Sequence, residues 1–580
     1  MIYQIGTEFP QQQFLQIKAE FNVSQDILQL NFPAWRPGRY ELGNFAKNIR
    51  SFKVFDELGK PLMFSKSLKD SWSVECMGAK KVVVQYSYYA AELNAGSTFL
   101  DETMVYINPI NCLVFEKGKE NESCVLRITP AKQLFYSGTL PLNNGEIHAA
   151  NFHELVDSPF VFSNDYSTNG FNYKGVDFKI TFFGVHEVPW DRVLNDFQKF
   201  TKKQMDDFGA FPVKQFHFMI LTTANAHYHG VEHKESTIIV LGPALEVFDG
   251  LYDELLGVSS HELYHVWNVK SLRSVDLWPY DYTQENYSRM GYLCEGITTY
   301  FGDHYLMTSG VWNVDRYLKE FTQVIQKHID NQGRFNYSLA ESSFDTWLDG
   351  YVAGVPSRKV SIYNEGALLA FITDIFIRSH TNAKKSLKDL MSQLYKNCYL
   401  KGRGATENDF VDSVNTLAEA DYRELFEAIV FKRASYEGFI VDALNNLGFD
   451  LTHNSNPDLV ASRLGLKTSF VGGYHQVSAI IPGSGADLSG LMIGDKIWAV
   501  NHLVVDGKME SAVKNFENES LKFTVNRRGV VVELIFPEAH GDYNKQVKVN
   551  KLEIPSNHAL LIFRYWSGVK VWKPSRSKIG

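Results

Sequence analysis

Cysteine is scarce in this chain, with five in 580 residues, and none of the five lies in a Cys-x-x-Cys pair. The scatter of Cys76, Cys112, Cys124, Cys294 and Cys398 excludes a zinc knuckle and a disulfide framework; they read as buried thiols, and the odd count favours a reducing compartment. Long apolar runs are missing too, so no membrane span is expected. The opening Met1-Ile-Tyr-Gln-Ile-Gly-Thr-Glu-Phe-Pro10 lacks the basic start and apolar core of a signal peptide. The expectation is a cytoplasmic protein, or a periplasmic or exported one if a leader has been trimmed. Basic clusters are also wanting, and a formal charge of −8 argues against nucleic acid as a partner. With 44% hydrophobic and 14% aromatic residues, disorder is excluded and several large cores can be built.

What is present is His261-Glu262-Leu263-Tyr264-His265. Residues four apart on a helix share a face, with about 5–6 Å between their Cβ atoms, so His261 and His265 can hold one metal ion together. Glu262 projects beside that face and is free to take a proton from the attacking water. Five residues can match by chance, so the flanks matter. Leu251, Leu255, Leu256, Val258, Val266 and Val269 recur at near-helical spacing, with no proline from Gly250 to Leu277, which predicts a packed helix. Adjacent buried histidines need a partner, and a metal is the simplest one.

A third ligand candidate is Glu295, on a second amphipathic segment marked by Leu293, Ile297, Tyr300 and Phe301. Two histidines and a glutamate make the three-ligand set of a catalytic zinc, leaving a fourth position for water or substrate.

The longer runs Ser260-His-Glu-Leu-Tyr-His-Val-Trp-Asn-Val-Lys270, Pro279-Tyr-Asp-Tyr-Thr-Gln-Glu-Asn-Tyr287 and Cys294-Glu-Gly-Ile-Thr-Thr-Tyr300 resemble the M61 glycyl aminopeptidase family, gluzincins related in fold to thermolysin and the M1 aminopeptidases. Phe32-Pro-Ala-Trp-Arg-Pro-Gly-Arg-Tyr40 with Asn44-Phe-Ala-Lys-Asn48 resembles the signature of that family's N-terminal β-domain, and His153-Glu-Leu-Val-Asp-Ser-Pro-Phe160 resembles its end. Gly230-Val-Glu-His233 is similar to the family's Gly-Leu-Glu-His segment, which borders the substrate. The resemblance thereby implies Gly230, Glu232 and His233 as substrate-binding residues, with Glu232 the anion for the substrate's α-ammonium. Val360-Ser-Ile-Tyr-Asn-Glu-Gly-Ala-Leu368 is similar to the family's Tyr-x-Lys-Gly stretch and implies Tyr363 as the donor to the oxyanion. Two positions depart from the pattern. Glu365 stands where lysine is usual, which reverses a charge near the expected cleft, and His229 replaces a common glycine, which reshapes the expected pocket.

The pattern along the chain predicts a multidomain α+β protein. Residues 1–165 alternate apolar and polar positions, as in Lys81-Val-Val-Val-Gln-Tyr-Ser-Tyr88, and read as an N-terminal all-β domain. Residues 166–452 begin with strands and turn helical, which suits a thermolysin-like zinc peptidase domain with the HExxH helix between two lobes. Residues 453–540, which open on the linker Asn454-Ser-Asn-Pro457, resemble a PDZ domain in its permuted order, with Leu464, Gly465 and Leu466 as the loop for a peptide's C-terminal carboxylate; a purely structural role for that domain stays equally open. Residues 541–580 are expected to pack back on another domain.

The function these expectations favour is a one-zinc aminopeptidase that removes glycine or alanine from peptides with a free N-terminus. A thermolysin-like endopeptidase and a non-catalytic PDZ scaffold are the alternatives. An endopeptidase has no use for a carboxylate at Glu232, and a scaffold has no use for intact catalytic residues.

Overall fold

The computed structural model describes residues 1–130, 134–351, 354–516, 519–537 and 541–572. The alternation near the N-terminus becomes strands with one inward face: in Phe14–Asn22, Leu15, Ile17, Ala19 and Phe21 are buried and their neighbours are not. That strand lies in a seven-stranded sheet ordered Leu142–Asn143, Glu146–Ala149, Cys124–Thr129, Ile2–Gly6, Phe14–Asn22, Lys81–Tyr89 and Ile49–Asp56. Two four-stranded sheets complete the region. The expectation of an all-β domain needs correction to β-rich, because two short α-helices form among its described residues. Proline opens Pro109–Cys112, and in Phe152–Val156 the Asn151 side chain accepts from the Glu154 amide as an N-cap.

A five-stranded mixed sheet follows, in the order Tyr166–Tyr173, Val176–Phe183, Gln215–Thr222, Ser236–Gly242, His227–Glu232. Its interior strand Ser236–Gly242 is buried at every residue, as a continuous apolar run should be when both faces are covered. His227–Glu232 runs antiparallel to it at the sheet's free edge, pairing Glu232 with Thr237 and Gly230 with Ile239. Helices then dominate, and the main core of the molecule runs through Tyr252–Tyr264, Ile297–Thr308, Val314–Asp330 and Ile362–His380.

The C-terminal module is an insertion. Strand Phe449–Asn454 pairs antiparallel with Gln546–Lys551, and the module with its own core, around Leu466, Val477, Ile497 and Phe523, lies between them in the chain. Leu466–Val471 is an edge strand of its sheet. After Gln546–Lys551 the chain returns to the helical lobe: in helix Asn557–Ser567, Trp566 is buried, its Nε1 donates to Tyr300 Oη at 3.0 Å, and its carbonyl meets His304 Nε2 at 2.9 Å. Of the expected tail, residues 573–580 lie outside the described residues. All five cysteines are buried and free.

Candidate active site

Helix Tyr252–Tyr264 presents His261 and Glu262, and His265 follows as its C-cap residue, still in right-handed helical conformation. Its flank is apolar and buried at Leu255, Leu256, Val258 and Leu263, which fixes the helix rotation and turns the two imidazoles to one side. His261 Nε2 and His265 Nε2 lie 3.0 Å apart. Glu295 Oε2 is 3.5 Å from His265 Nε2 and 3.9 Å from His261 Nε2. Glu295 rides on a π-helical turn, Tyr292–Gly296, just before Ile297–Thr308, and such turns re-aim a side chain that regular helix would send elsewhere.

The orientation of His265 is set from behind. Its Nδ1 lies 3.1 Å from the Asn268 carbonyl, which orients the ring and turns Nε2 toward the site. The Asn268 side chain donates to the carbonyls of Leu293 and Cys294, both at 2.9 Å, and to Thr298 Oγ1 at 3.0 Å. One asparagine thus ties the histidine segment to the segment that carries Glu295.

Two glycine contacts shape the rest. A β-carbon on Gly296 would sit 2.2 Å from Gly366 Cα, so helix Ile362–His380 presses directly on the Glu295 turn. That approach carries Tyr363, on the first turn of the same helix, to the site; its ring lies 6.2 Å from that of Tyr351. Gly230 meets Glu262 in the same way, and Gly38 meets Glu232. Burial pushes the Tyr363 phenol up, and the Glu295 charge adds to it, so it stays a proton donor.

Glu232, Glu262 and Glu295 are all buried, and one oxygen of each lacks a hydrogen-bond partner. Burial raises the Glu262 and Glu295 carboxyls, and it lowers His261. Three buried carboxylates around two imidazoles form a site short of positive charge, which a divalent cation would supply. The ligand atoms of His261, His265 and Glu295 all lie within 4.8 Å of one another, so this donor set of two nitrogens and one oxygen fits a single zinc ion.

His233 faces the domain junction, where Nδ1 lies 3.1 Å from Asp157 Oδ1, an oxygen that also accepts from Lys270 Nζ at 2.7 Å. Glu365 is engaged within the helical lobe: His328 Nδ1 lies 2.7 Å from its Oε2, and Tyr436 donates to the same oxygen. The reversed charge expected near the cleft is held in a buried pair with His328, and Glu365 lines one cavity with Tyr363. Burial, with the charges of Arg36 and Arg39, pushes His229 down to about 3, so it is neutral in the working range. In the C-terminal module Leu464 ends a helix, Gly465 caps it in left-handed conformation with its amide on the Ala461 carbonyl, and Leu466 opens the edge strand; both leucines are buried.

Sequence reasoning passed over Arg36, Gly38, Asn268 and Gly366. The signal for the first two was the Pro37-Gly38 turn flanked by arginines and aromatics, read only as a domain signature.

Residues 2–164 match the peptidase M61 N-terminal domain, and residues 254–369 match the M61 glycyl aminopeptidase domain. Among solved structures, an aminopeptidase N family protein from Idiomarina loihiensis is similar over 98% of this chain and 99% of its own, with 22% identity and a TM-score of 0.88, which establishes a shared fold. An M1 zinc metallopeptidase from Deinococcus radiodurans covers 75% of this chain and 94% of its own, with 12% identity and a TM-score of 0.46. No curated protein sequence matches the chain.

Proposed function

The chain belongs to the M61 glycyl aminopeptidase family, a family of zinc metallopeptidases, and on that premise we propose that it releases small N-terminal residues, glycine or alanine, from peptides with a free amino terminus. The observation that carries this reading is Glu232, a buried carboxylate with an unpartnered oxygen at the end of the sheet's free edge strand.

In this reading the peptide lies along His227–Glu232, whose outward backbone groups are free to pair with it. Glu232 takes the α-ammonium in a charge-assisted hydrogen bond, which places the first peptide bond beside Glu262. His261, His265 and Glu295 would hold one zinc ion, which when bound supplies Lewis-acid polarisation of the carbonyl and acidifies water. Glu262, raised by burial, accepts a proton from the attacking water and returns it to the leaving amine. Tyr363 donates a hydrogen bond to the oxyanion. Gly38 packs so closely on the Glu232 carboxylate that a β-carbon there would not fit.

We read residues 1–165, 166–452, 453–540 and 541–580 as four units: β-domain, thermolysin-like catalytic domain, PDZ-like domain and returning tail. The PDZ-like reading draws support from the edge strand Leu466–Val471, to which an extended peptide C-terminus could add.

The test uses paired glycyl and alanyl chromogenic amides, free and N-acetylated, with the zinc-loaded protein. Turnover of the free forms only, lost in Glu262→Gln, is the expected result. Glu232→Ala should depress the free forms far more than the blocked ones. Equal loss on both would remove the amine anchor, and cleavage of blocked substrates by the native protein would favour an endopeptidase.

A further inference from the structure

Arg36 is 6% exposed, yet among the described residues no carboxylate lies within 4 Å of it, and its Nη1 has no hydrogen-bond partner. The charge of Glu232 opposes the cost of burying this guanidinium, but no ion pair within 4 Å offsets it directly. Its placement is built: a β-carbon on Gly96 would lie 2.1 Å from Arg36 Nη2, so that glycine serves as a flat seat for the guanidinium. With Arg39, Asn94 and Ser97, and with the carboxylates Glu41 and Glu92, it lines a cavity of about 620 Å³.

The arginine is also close to the catalytic centre in space. Two residues on, Gly38 packs on the Glu232 carboxylate, and a β-carbon there would fall 2.4 Å from Oε2. Arg39 stands 4.9 Å over the ring of Tyr351, the neighbour of Tyr363, and is held by Glu41. Besides burial, the charges of Arg36 and Arg39 hold His229 neutral, so positive charge adjoins the strand expected to carry the peptide. Were Arg36 simply the permanent counter-ion of Glu232, the two would pair. Instead Glu232 Oε1 and Arg36 Nη1 are both buried and both unpartnered.

We propose that Arg36 is a specificity residue that receives the C-terminal carboxylate of a short peptide, so that Glu232 and Arg36 together read the two charged ends of a zwitterionic dipeptide or tripeptide. The inference rests on the aminopeptidase reading above for the position of the substrate. A planar fork matches a carboxylate with two parallel hydrogen bonds, and burial strengthens them. The enzyme is then a finisher of short fragments.

The experiment compares glycylglycine and alanylglycine with their C-terminal amides on the zinc-loaded full chain, with glycyl-aspartyl amide as a third arm. The expected result is a preference for the acids of about 10- to 100-fold in kcat/KM, expressed mainly in KM, that collapses toward unity in Arg36→Gln. Arg36→Lys, which keeps the charge without the fork, should fall between and guards against a variant that does not fold. Equal use of acid and amide by the native protein, or a ratio unchanged in the variants, overturns the proposal. A gain for the aspartyl amide equal to that for the free acid assigns Arg36 to a side-chain carboxylate and overturns the terminal one. If nothing is hydrolysed, the aminopeptidase reading has failed by itself. Calorimetric binding of glycylglycine against its amide then decides the carboxylate site, tighter binding of the acid supporting it and equal binding refuting it.

Discussion

Gly230 and Glu262 touch so closely that no side chain fits between them: a β-carbon on Gly230 would lie 2.3 Å from Glu262 Oε1 and 2.7 Å from Val258 Cγ2. The edge strand and the HExxH helix are thereby in contact at the one carboxylate that must be aimed. Gly230→Ala should push that carboxylate aside and lower kcat by about 100-fold, the scale of a 1 Å misplacement, with zinc content unchanged. Steady-state kinetics beside metal analysis would check this, and a variant of native kcat would show that Glu262 tolerates the shift.

Asn268 links the two metal-bearing segments through four atoms. Asn268→Ala keeps the backbone carbonyl that meets His265 Nδ1 but frees it from the Leu293 and Cys294 carbonyls. Zinc affinity should fall by about 10- to 100-fold, measured by competition with a chromophoric chelator. An unchanged affinity would mean that the helices hold their own register.

The junction between the β-rich region and the catalytic region rests on Asp157. Burial alone would raise its carboxyl, but the Lys270 charge and the His233 hydrogen bond overcome it, and the group sits well below the usual carboxylate range. A depressed folded-state pKa gives stability that is full above the unfolded value, about 3.9, and is lost as pH falls below it. Asp157→Asn should cost about 3–5 kcal/mol, because Lys270 stays buried without its anion. Its melting temperature should also fall less steeply than the native protein's between about pH 4 and pH 2. Parallel acid limbs in the two proteins would count against this account.

Glu365→Lys would install the residue usual in the family's pattern at a place now built for an anion. His328 and Tyr436 both point to that carboxylate, so the lysine should destabilise the helical lobe by about 3–5 kcal/mol. Urea unfolding at neutral pH would measure it; a stable variant would show that the pair can be replaced at no cost.

Much of the site was legible because its geometry is local. His261 and His265 are brought together by one helical turn, and Glu295 needs only a neighbouring segment, so spacing and periodicity sufficed to nominate them. Tyr363 could not be told from the other tyrosines without a motif, since its position depends on Gly366 meeting Gly296 across two helices. Arg36 was invisible for a stronger reason: its meaning comes from Gly96, Gly38 and Glu232, residues up to two hundred positions away that no periodicity connects. The pairing of Glu365 with His328 escaped because the two lie on different helices, Ile362–His380 and Val314–Asp330, that no periodicity connects. The short helices inside the β-rich region escaped because four or five residues hold too little periodicity to register.

The helix Asn557–Ser567 closes the core beneath the Glu295 helix, through Trp566 on Tyr300 and His304. In the order of synthesis it comes after the whole inserted module. A ribosome that has released the HExxH helix, the Glu295 turn and Tyr363 still holds an open catalytic lobe, and some two hundred residues must follow before the wedge arrives. The catalytic lobe is thus completed by a helix that the chain supplies only after the whole inserted module.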